Sequence, residues 1–430
     1  MYLWRRDGKQ AGSDGQVTRY SAWSLLRAGL SGQRTWTPAW RDAKPKKSYE
    51  AVIIGGGGHG LATAYYLASK YGLRDIAVLE RGWIGGGNTG RNTTVIRSNY
   101  FFPESTRFYD FSLSLYEDLS RELNYNIMFS RRGMWSFAHD RHGVEMLRRS
   151  ANAMRLNGAD AEYHEADEVL RRIPGLNPSP RFPILAGLLQ PRGGTARHDA
   201  VAWGYARAAD SLGVDIIQNC EVTGFDIRDG RIRGVETSLG DIAVDRVGLA
   251  VAGHSSVMAA RAGFRLPIVS YALQAFVSEP MKPVLDTVVL APSTGTYLSQ
   301  SDKGEIVVGS ALDLFPSYAQ RGSLPVLEHT AAGLIDLFPH FSRVRLLRQW
   351  AGIVDVVQDS TPILGESPVK GLYLNCGWGT GGFKAIPGGG FCLAHNIATG
   401  EAHPLAAAFS LDRFRTGALI DEAAASGIAH

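Results

Sequence analysis

Cysteine is scarce in this chain: Cys220, Cys376 and Cys392 are the only three among 430 residues. An odd set without paired spacing supplies neither a disulfide framework nor a metal-binding motif, so no metal site is expected. The same scarcity fits a reducing compartment, the cytoplasm. No run of about 18 apolar residues exists, so no membrane-crossing helix is expected. The opening Met1-Tyr-Leu-Trp-Arg-Arg-Asp7 lacks the apolar core of a secretion signal. Charge of one sign is not in excess either: 45 Lys and Arg against 41 Asp and Glu leave a formal net charge of +4. That balance, without a dense basic block in the body of the chain, excludes nucleic acid as the expected partner. What is present is glycine, 50 of 430 residues, which points to tight turns and close backbone approaches. The length suits two or three lobes.

Residues 1–48 differ from the rest. They are rich in Gly, Ser, Trp and Arg, and they read as an N-terminal arm with one short amphipathic helix over 22–30. Its Leu26, Trp36 and Trp40 suggest docking on a partner surface. From Tyr49 the pattern becomes α/β. A buried strand (49–54), a helix (60–71) and a second strand (76–80) make a βαβ opening. Further helices are expected over 107–123, 144–156 and 327–338, and from about 389 to 399. Asp199 is expected to cap a helix that runs to Leu212. Hairpin-like strands turn at Asp229-Gly230 and Leu239-Gly240, and residues 265–350 alternate short strands and turns.

Gly55-Gly-Gly57-Gly58-His59-Gly60 carries the strongest chemical signal. It fits G-x-G-x-x-G between a strand and a helix. Gly55 permits the turn, Gly57 lets backbone approach a diphosphate, and Gly60 lets helix and strand pack closely. Glu80 follows Gly60 by twenty residues at the next strand end, where it would accept ribose hydroxyls. His59, inside the turn, is read as packing or hydrogen bonding to the cofactor. A second glycine-rich loop, residues 85–94, contains Asn88, Arg91 and Thr93 and suggests backbone lying along a flavin. Arg97 follows in Val95-Ile-Arg97, where a partly buried guanidinium wants a carboxylate, whether a ligand's or a structural partner's. A third loop, Gly377-Trp-Gly379-Thr-Gly-Gly382-Phe-Lys384, can present amides of Gly379 and Gly382 to flavin or phosphate. Lys384 there is read as holding a carboxylate, stabilising reduced flavin, or simply solvated. Position alone makes His198 an ordinary polar turn residue. His254 stands near the presumed cofactor edge, and the three cysteines read as buried packing.

With these motifs in place, the chain resembles the beta subunits of heterotetrameric sarcosine oxidases. These are a branch of the FAD-dependent amine and amino-acid oxidases that include glycine oxidase and D-amino-acid oxidase. The likeness covers roughly residues 17–430, which leaves 1–16 as an upstream extension. It is carried by Lys46–Gly60, Arg91-Asn-Thr-Thr-Val-Ile-Arg-Ser-Asn-Tyr100, Arg197-His-Asp-Ala-Val-Ala-Trp203, Gln218-Asn-Cys-Glu-Val-Thr-Gly224 and Asn375–Lys384. The fold it implies is a Rossmann-like FAD-binding domain (49–110, 195–264 and 352–430) interleaved with an antiparallel-sheet substrate domain (111–194 and 265–351). It further implies non-covalent FAD, and a second flavin, FMN, tethered covalently to His198 with Arg197 beside it. Val222 corresponds to a backbone contact to the adenine half of FAD. Arg97 and Lys384 correspond to the pair that holds the carboxylate of sarcosine. The activity implied is oxidative N-demethylation of sarcosine to glycine, with formaldehyde or methylenetetrahydrofolate and hydrogen peroxide, in a complex with alpha, gamma and delta subunits. The other reading is a stand-alone FAD-dependent D-amino-acid or proline dehydrogenase.

Overall fold

A computed structural model describes residues 21–32, 34 and 38–422 of the chain. They fall into an N-terminal unit ending at Ala39 and a body beginning at Trp40. In the first unit the expected helix is present as Ala22–Leu30. Ser21 caps it, its hydroxyl accepting the Ser24 N–H at 3.1 Å. Trp23, Leu26 and Leu30 are exposed. Residues 1–16 and Trp36 lie outside the described residues, whereas Trp40 packs on the core of the body.

The body is mixed α/β. Its first sheet has six strands in the order Ile363–Glu366, Leu372–Cys376, Val247–Leu249, Ala51–Ile54, Ile76–Leu79 and Asp215–Ile217. All pairs are parallel except Ile363–Glu366 with Leu372–Cys376. The short apolar runs Ala51–Ile54 and Ile76–Leu79 are buried at every position, as strands covered on both faces must be. Helices Gly58–Tyr71, His198–Ser211 and Ile386–Thr399 cover one face. A second, eight-stranded sheet is antiparallel apart from the pairing of Met134–Ala138 with Val288–Ala291. A three-stranded hairpin sheet (Val222–Arg228, Arg231–Thr237, Ile242–Ala243) turns at Asp229 and Gly230, whose φ values of 51° and 70° are those of a tight hairpin turn.

Two local expectations need correction. The helix expected from 389 begins at Ile386, with Pro387 in its first turn. Within it, Gly388 and Gly390 are contact surface. A Cβ on Gly390 would lie 2.5 Å from Ala62 Cβ, and one on Gly388 would lie 2.9 Å from Ser112 Cβ. The missing side chains let three helices approach closely. Asp199 is not a cap: the helix starts at His198, and Asp199 spends its carboxylate on Arg197 (2.6 and 3.0 Å) and on its neighbour Ala200 N–H. Residues 327–338 and 107–123 are helical with earlier starts, in Leu324–Leu337 and Pro103–Glu122, each opening with Pro in the first turn.

The strand Leu346–Val357 edges the eight-stranded sheet and reaches the carboxyl ends of the first. Beyond it, Asp359 and Arg413 form an ion pair of 2.7 and 2.9 Å with side chains 0% and 2% exposed. Arg413 also donates to the carbonyls of Thr361 and Phe409, which satisfies its fork. Removing one partner leaves the other charge buried and unpaired. Asp359→Asn is expected to lower unfolding free energy by about 3–5 kcal/mol in urea titrations; a loss within error of zero would contradict the pairing.

Candidate functional site

A cavity of about 570 Å³ follows the carboxyl ends of the central strands, where open α/β sheets bind ligands. Its floor is the glycine turn. Gly55 adopts φ +111°, and a Cβ there would lie 2.2 Å from the Ala250 carbonyl oxygen. A Cβ on Gly60 would lie 1.9 Å from Gly55 O, and one on Gly58 2.3 Å from Ile386 Cδ1. Gly57 is different: its nearest obstacle is Thr89 Oγ1 at 3.2 Å. Gly87 and Gly379 meet nothing within 4 Å. Backbone is therefore bare where the cavity lies and crowded where the scaffold lies. Gly57 has no side chain to cap the helix Gly58–Tyr71; Thr89 Oγ1 accepts the Gly58 N–H at 3.0 Å, and the positive end of the helix lines the cavity.

Glu80 lines the same cavity. Its carboxylate accepts the N–H groups of Gly56 and Gly82, each at 2.8 Å. Two of roughly four lone-pair positions are thereby used, and the remainder can take ribose hydroxyls. Val222, His254 and Arg261 line the adjoining wall, with Arg261 donating to Val222 O at 2.7 Å. His59 stacks on Trp378 (4.9 Å between centroids) and pairs through Nε2 with Gly382 O at 2.8 Å. Burial pushes its pKa down to about 4, so the ring is neutral. It ties the first glycine turn to the third.

The second loop also lines the cavity, but its side chains face the scaffold. Asn88 pairs both amide atoms with the backbone of Ile353, at 2.5 and 2.9 Å. The Arg91 guanidinium is taken up by the carbonyls of Gly86 and Gly87. Thr93 Oγ1 donates to Tyr297 Oη at 3.2 Å. These three residues shape the loop, and its backbone is what meets the cavity. Asp355, on the strand Leu346–Val357, receives the Gly377 N–H at 2.5 Å and thereby anchors the third loop. Full burial raises its pKa to about 6, and the amides of Gly377, Trp378 and Gly379 hold it back from rising further. Sequence reasoning passed over Asp355, although a lone acid within Gly352-Ile-Val-Asp355-Val-Val is a readable signal.

Arg97 and Lys384 also line the cavity, close enough to repel each other. Among the described residues neither forms an ion pair with a carboxylate. Arg97 Nη1 donates to Asn99 Oδ1 at 2.7 Å, and Lys384 Nζ donates to Thr380 O at 3.1 Å. Lys384 is 5% exposed, and burial followed by repulsion from Arg97 pushes its pKa well below the ordinary lysine value. Two basic side chains thus stand together in a largely apolar cavity, with no carboxylate paired to either among the described residues.

Gly60, Arg197 and His198 do not line this cavity. His198 opens its helix, and its Nδ1 is buried without a hydrogen-bond partner. Burial lowers its pKa, which keeps the ring neutral with a lone pair on one nitrogen. Cys220, Cys376 and Cys392 are free and buried, as expected. No helix among the described residues is long and apolar enough to cross a membrane.

A family profile described as FAD dependent oxidoreductase matches residues 50–396. The sarcosine oxidase subunit beta of Rhodobacter capsulatus is 52% identical over 96% of this chain and 100% of its own. That of Rhizobium meliloti is 54% identical over 94% of this chain and 97% of its own. Among solved structures, the L-proline dehydrogenase from P. horikoshii superposes with a TM-score of 0.82 at 27% identity, covering 87% of this chain and 100% of that one. The chain belongs to the FAD-dependent oxidoreductase family and, within it, to the sarcosine oxidase beta subunits.

Proposed function

We propose that the chain oxidises the N-methyl group of sarcosine, as the catalytic beta subunit of an oxidase assembled with alpha, gamma and delta subunits in the cytoplasm. The observation that carries this is a dinucleotide cradle and two basic side chains, Arg97 and Lys384, without a paired carboxylate among the described residues, lining one cavity. The cradle fits FAD: bare backbone at Gly57, Gly87 and Gly379, the helix end at Gly58, and Glu80 with acceptor positions to spare. When bound, FAD supplies the two-electron acceptor for the C–H bond that breaks. The protein's own part is orientation and charge. Arg97 and Lys384 hold the substrate carboxylate, which fixes the direction of the amine and its methyl group. The apolar wall excludes water around them. Molecular oxygen is the final acceptor of the two electrons and leaves as hydrogen peroxide; water takes the one-carbon unit to give glycine and formaldehyde, or tetrahydrofolate in a partner takes it in place of water to give glycine and methylenetetrahydrofolate.

FMN bound covalently to His198 completes the reading. A neutral, buried imidazole with an unpartnered ring nitrogen, flanked by Arg197, supports it. Cys220 lines the cavity and Cys376 and Cys392 do not; burial raises the pKa of all three thiols, which fits non-covalent FAD. A stand-alone D-amino-acid or proline dehydrogenase is the other reading; identities of 52–54% to sarcosine oxidase beta subunits favour the first.

Arg97→Ala and Lys384→Ala in the assembled enzyme are each expected to raise KM for sarcosine about 10- to 100-fold, the size of one lost charge-assisted hydrogen bond; unchanged KM in both would end the proposed clamp. Because the Lys384 pKa is lowered, its charge is lost as pH rises through a value below that of free lysine. Carboxylate affinity should therefore fall on the alkaline side, and that limb should vanish in Lys384→Met. For His198→Ala, acid precipitation should leave a colourless pellet and all flavin in the supernatant. Yellow protein in the pellet would put the tether elsewhere.

A further inference from the structure

We infer that Tyr100 is a positioning residue, whose ring is the shared floor on which Arg97 and Lys384 are held for one carboxylate. The inference rests on the clamp reading above and deepens it. Tyr100 is 8% exposed and does not line the cavity, so it acts through the two cations. The guanidinium carbon of Arg97 lies 4.9 Å from the ring centroid, and Lys384 Nζ lies 6.0 Å from it. Both distances are within the range where the negative face of a ring attracts a cation.

The ring is itself fixed. Tyr109, on the helix Pro103–Glu122, stacks against it at 3.8 Å with only 9° between the planes. Tyr109 in turn meets Phe108 and Trp378 edge-on, at 5.3 and 6.4 Å. The loop that carries Lys384 is pressed onto both phenols: a Cβ on Gly381 would lie 2.2 Å from Tyr109 Oη and 3.1 Å from Tyr100 Oη. Tyr100 is thus clamped between the helix, the third glycine loop and its own segment, three residues beyond Arg97.

Such a floor answers a specific problem. Two like charges in a buried pocket repel, and the repulsion favours loss of the Lys384 proton or outward motion of one side chain. One hydrogen bond each, to Asn99 and Thr380, leaves the rest of both head groups without a partner. A ring attracting both offsets part of that repulsion and holds them in register before any carboxylate arrives. The charged and titratable groups around the ring are Arg97, Lys384, Tyr109 and Glu422, the last accepting the N–H groups of Phe101 and Phe102 at 3.0 and 2.9 Å.

The test uses the assembled, flavin-loaded enzyme and acetate as the probe, with binding read from the visible flavin spectrum. Tyr100 is replaced by phenylalanine and by phenylalanines of increasing ring fluorination. These keep ring shape and nearly its volume while weakening the negative face. Acetate affinity should be near wild type for Tyr100→Phe and fall stepwise, by about tenfold across the series. The alkaline limb of acetate binding should move to lower pH in the same order, a change that a purely structural role would not produce. A flat series, or a Tyr100→Phe loss as large as that of the fully fluorinated ring, overturns the inference. Arg97→Ala and Lys384→Ala are run alongside. If neither weakens acetate, the clamp reading fails and takes the inference with it; if both do and the series is flat, only the role of Tyr100 fails.

Discussion

The whole arrangement depends on one steric constraint: the chain passes itself at Gly55 and Gly60 more closely than any side chain permits. Gly60 has room for its hydrogen alone against the carbonyl of Gly55, and Gly55 sits likewise against Ala250. That approach seats the helix Gly58–Tyr71 on the strand Ala51–Ile54 and aims its positive end into the cavity. It also puts Glu80, at the end of the neighbouring strand, within 2.8 Å of the Gly56 amide. Turn and acid are therefore one unit, and a shift in either would disturb the other.

A second layer holds the other glycine-rich loops against this local cradle. The strand Leu346–Val357 touches two of them through particular bonds. Ile353 pairs with Asn88, Trp350 Nε1 donates to Arg91 O at 2.7 Å, and Asp355 receives Gly377 N–H. A glycine-rich loop is entropically costly to order. The loop 85–94 is fastened at Ile353 and Trp350 and the loop from Gly377 at Asp355, all on the same strand. His59 closes the circuit from the other side through Gly382. Lys384, two residues beyond Gly382, is consequently set by the same framework that shapes the glycine turn.

Much of this was legible beforehand, for identifiable reasons. Short apolar runs bounded by turn residues mark buried parallel strands, and the spacing of Gly55, Gly57, Gly60 and Glu80 has a steric and electrostatic rationale that survives without coordinates. The hairpin at Asp229-Gly230 is equally local. What was not legible is what depends on contacts between distant segments. Asn88 and Arg91 sit in the right loop, but their side chains turn to Ile353, Gly86 and Gly87. The helix Ile386–Thr399 begins three residues before its expected start, and the approach of its Gly388 and Gly390 to Ser112 and Ala62, more than two hundred residues away in the chain, has no local signal. Asp355 and Tyr100 look like isolated polar residues until the loops they hold are beside them.

The most direct measurement of the central claim is the flavin content of the natively isolated complex, before and after denaturation, with Gly60→Ala in parallel. The account predicts about one FAD per chain, released on denaturation, and little or none of it in Gly60→Ala, because a Cβ 1.9 Å from the Gly55 carbonyl forces the turn open. Full FAD content in that variant, or native protein that takes up no adenine-bearing flavin, would contradict it.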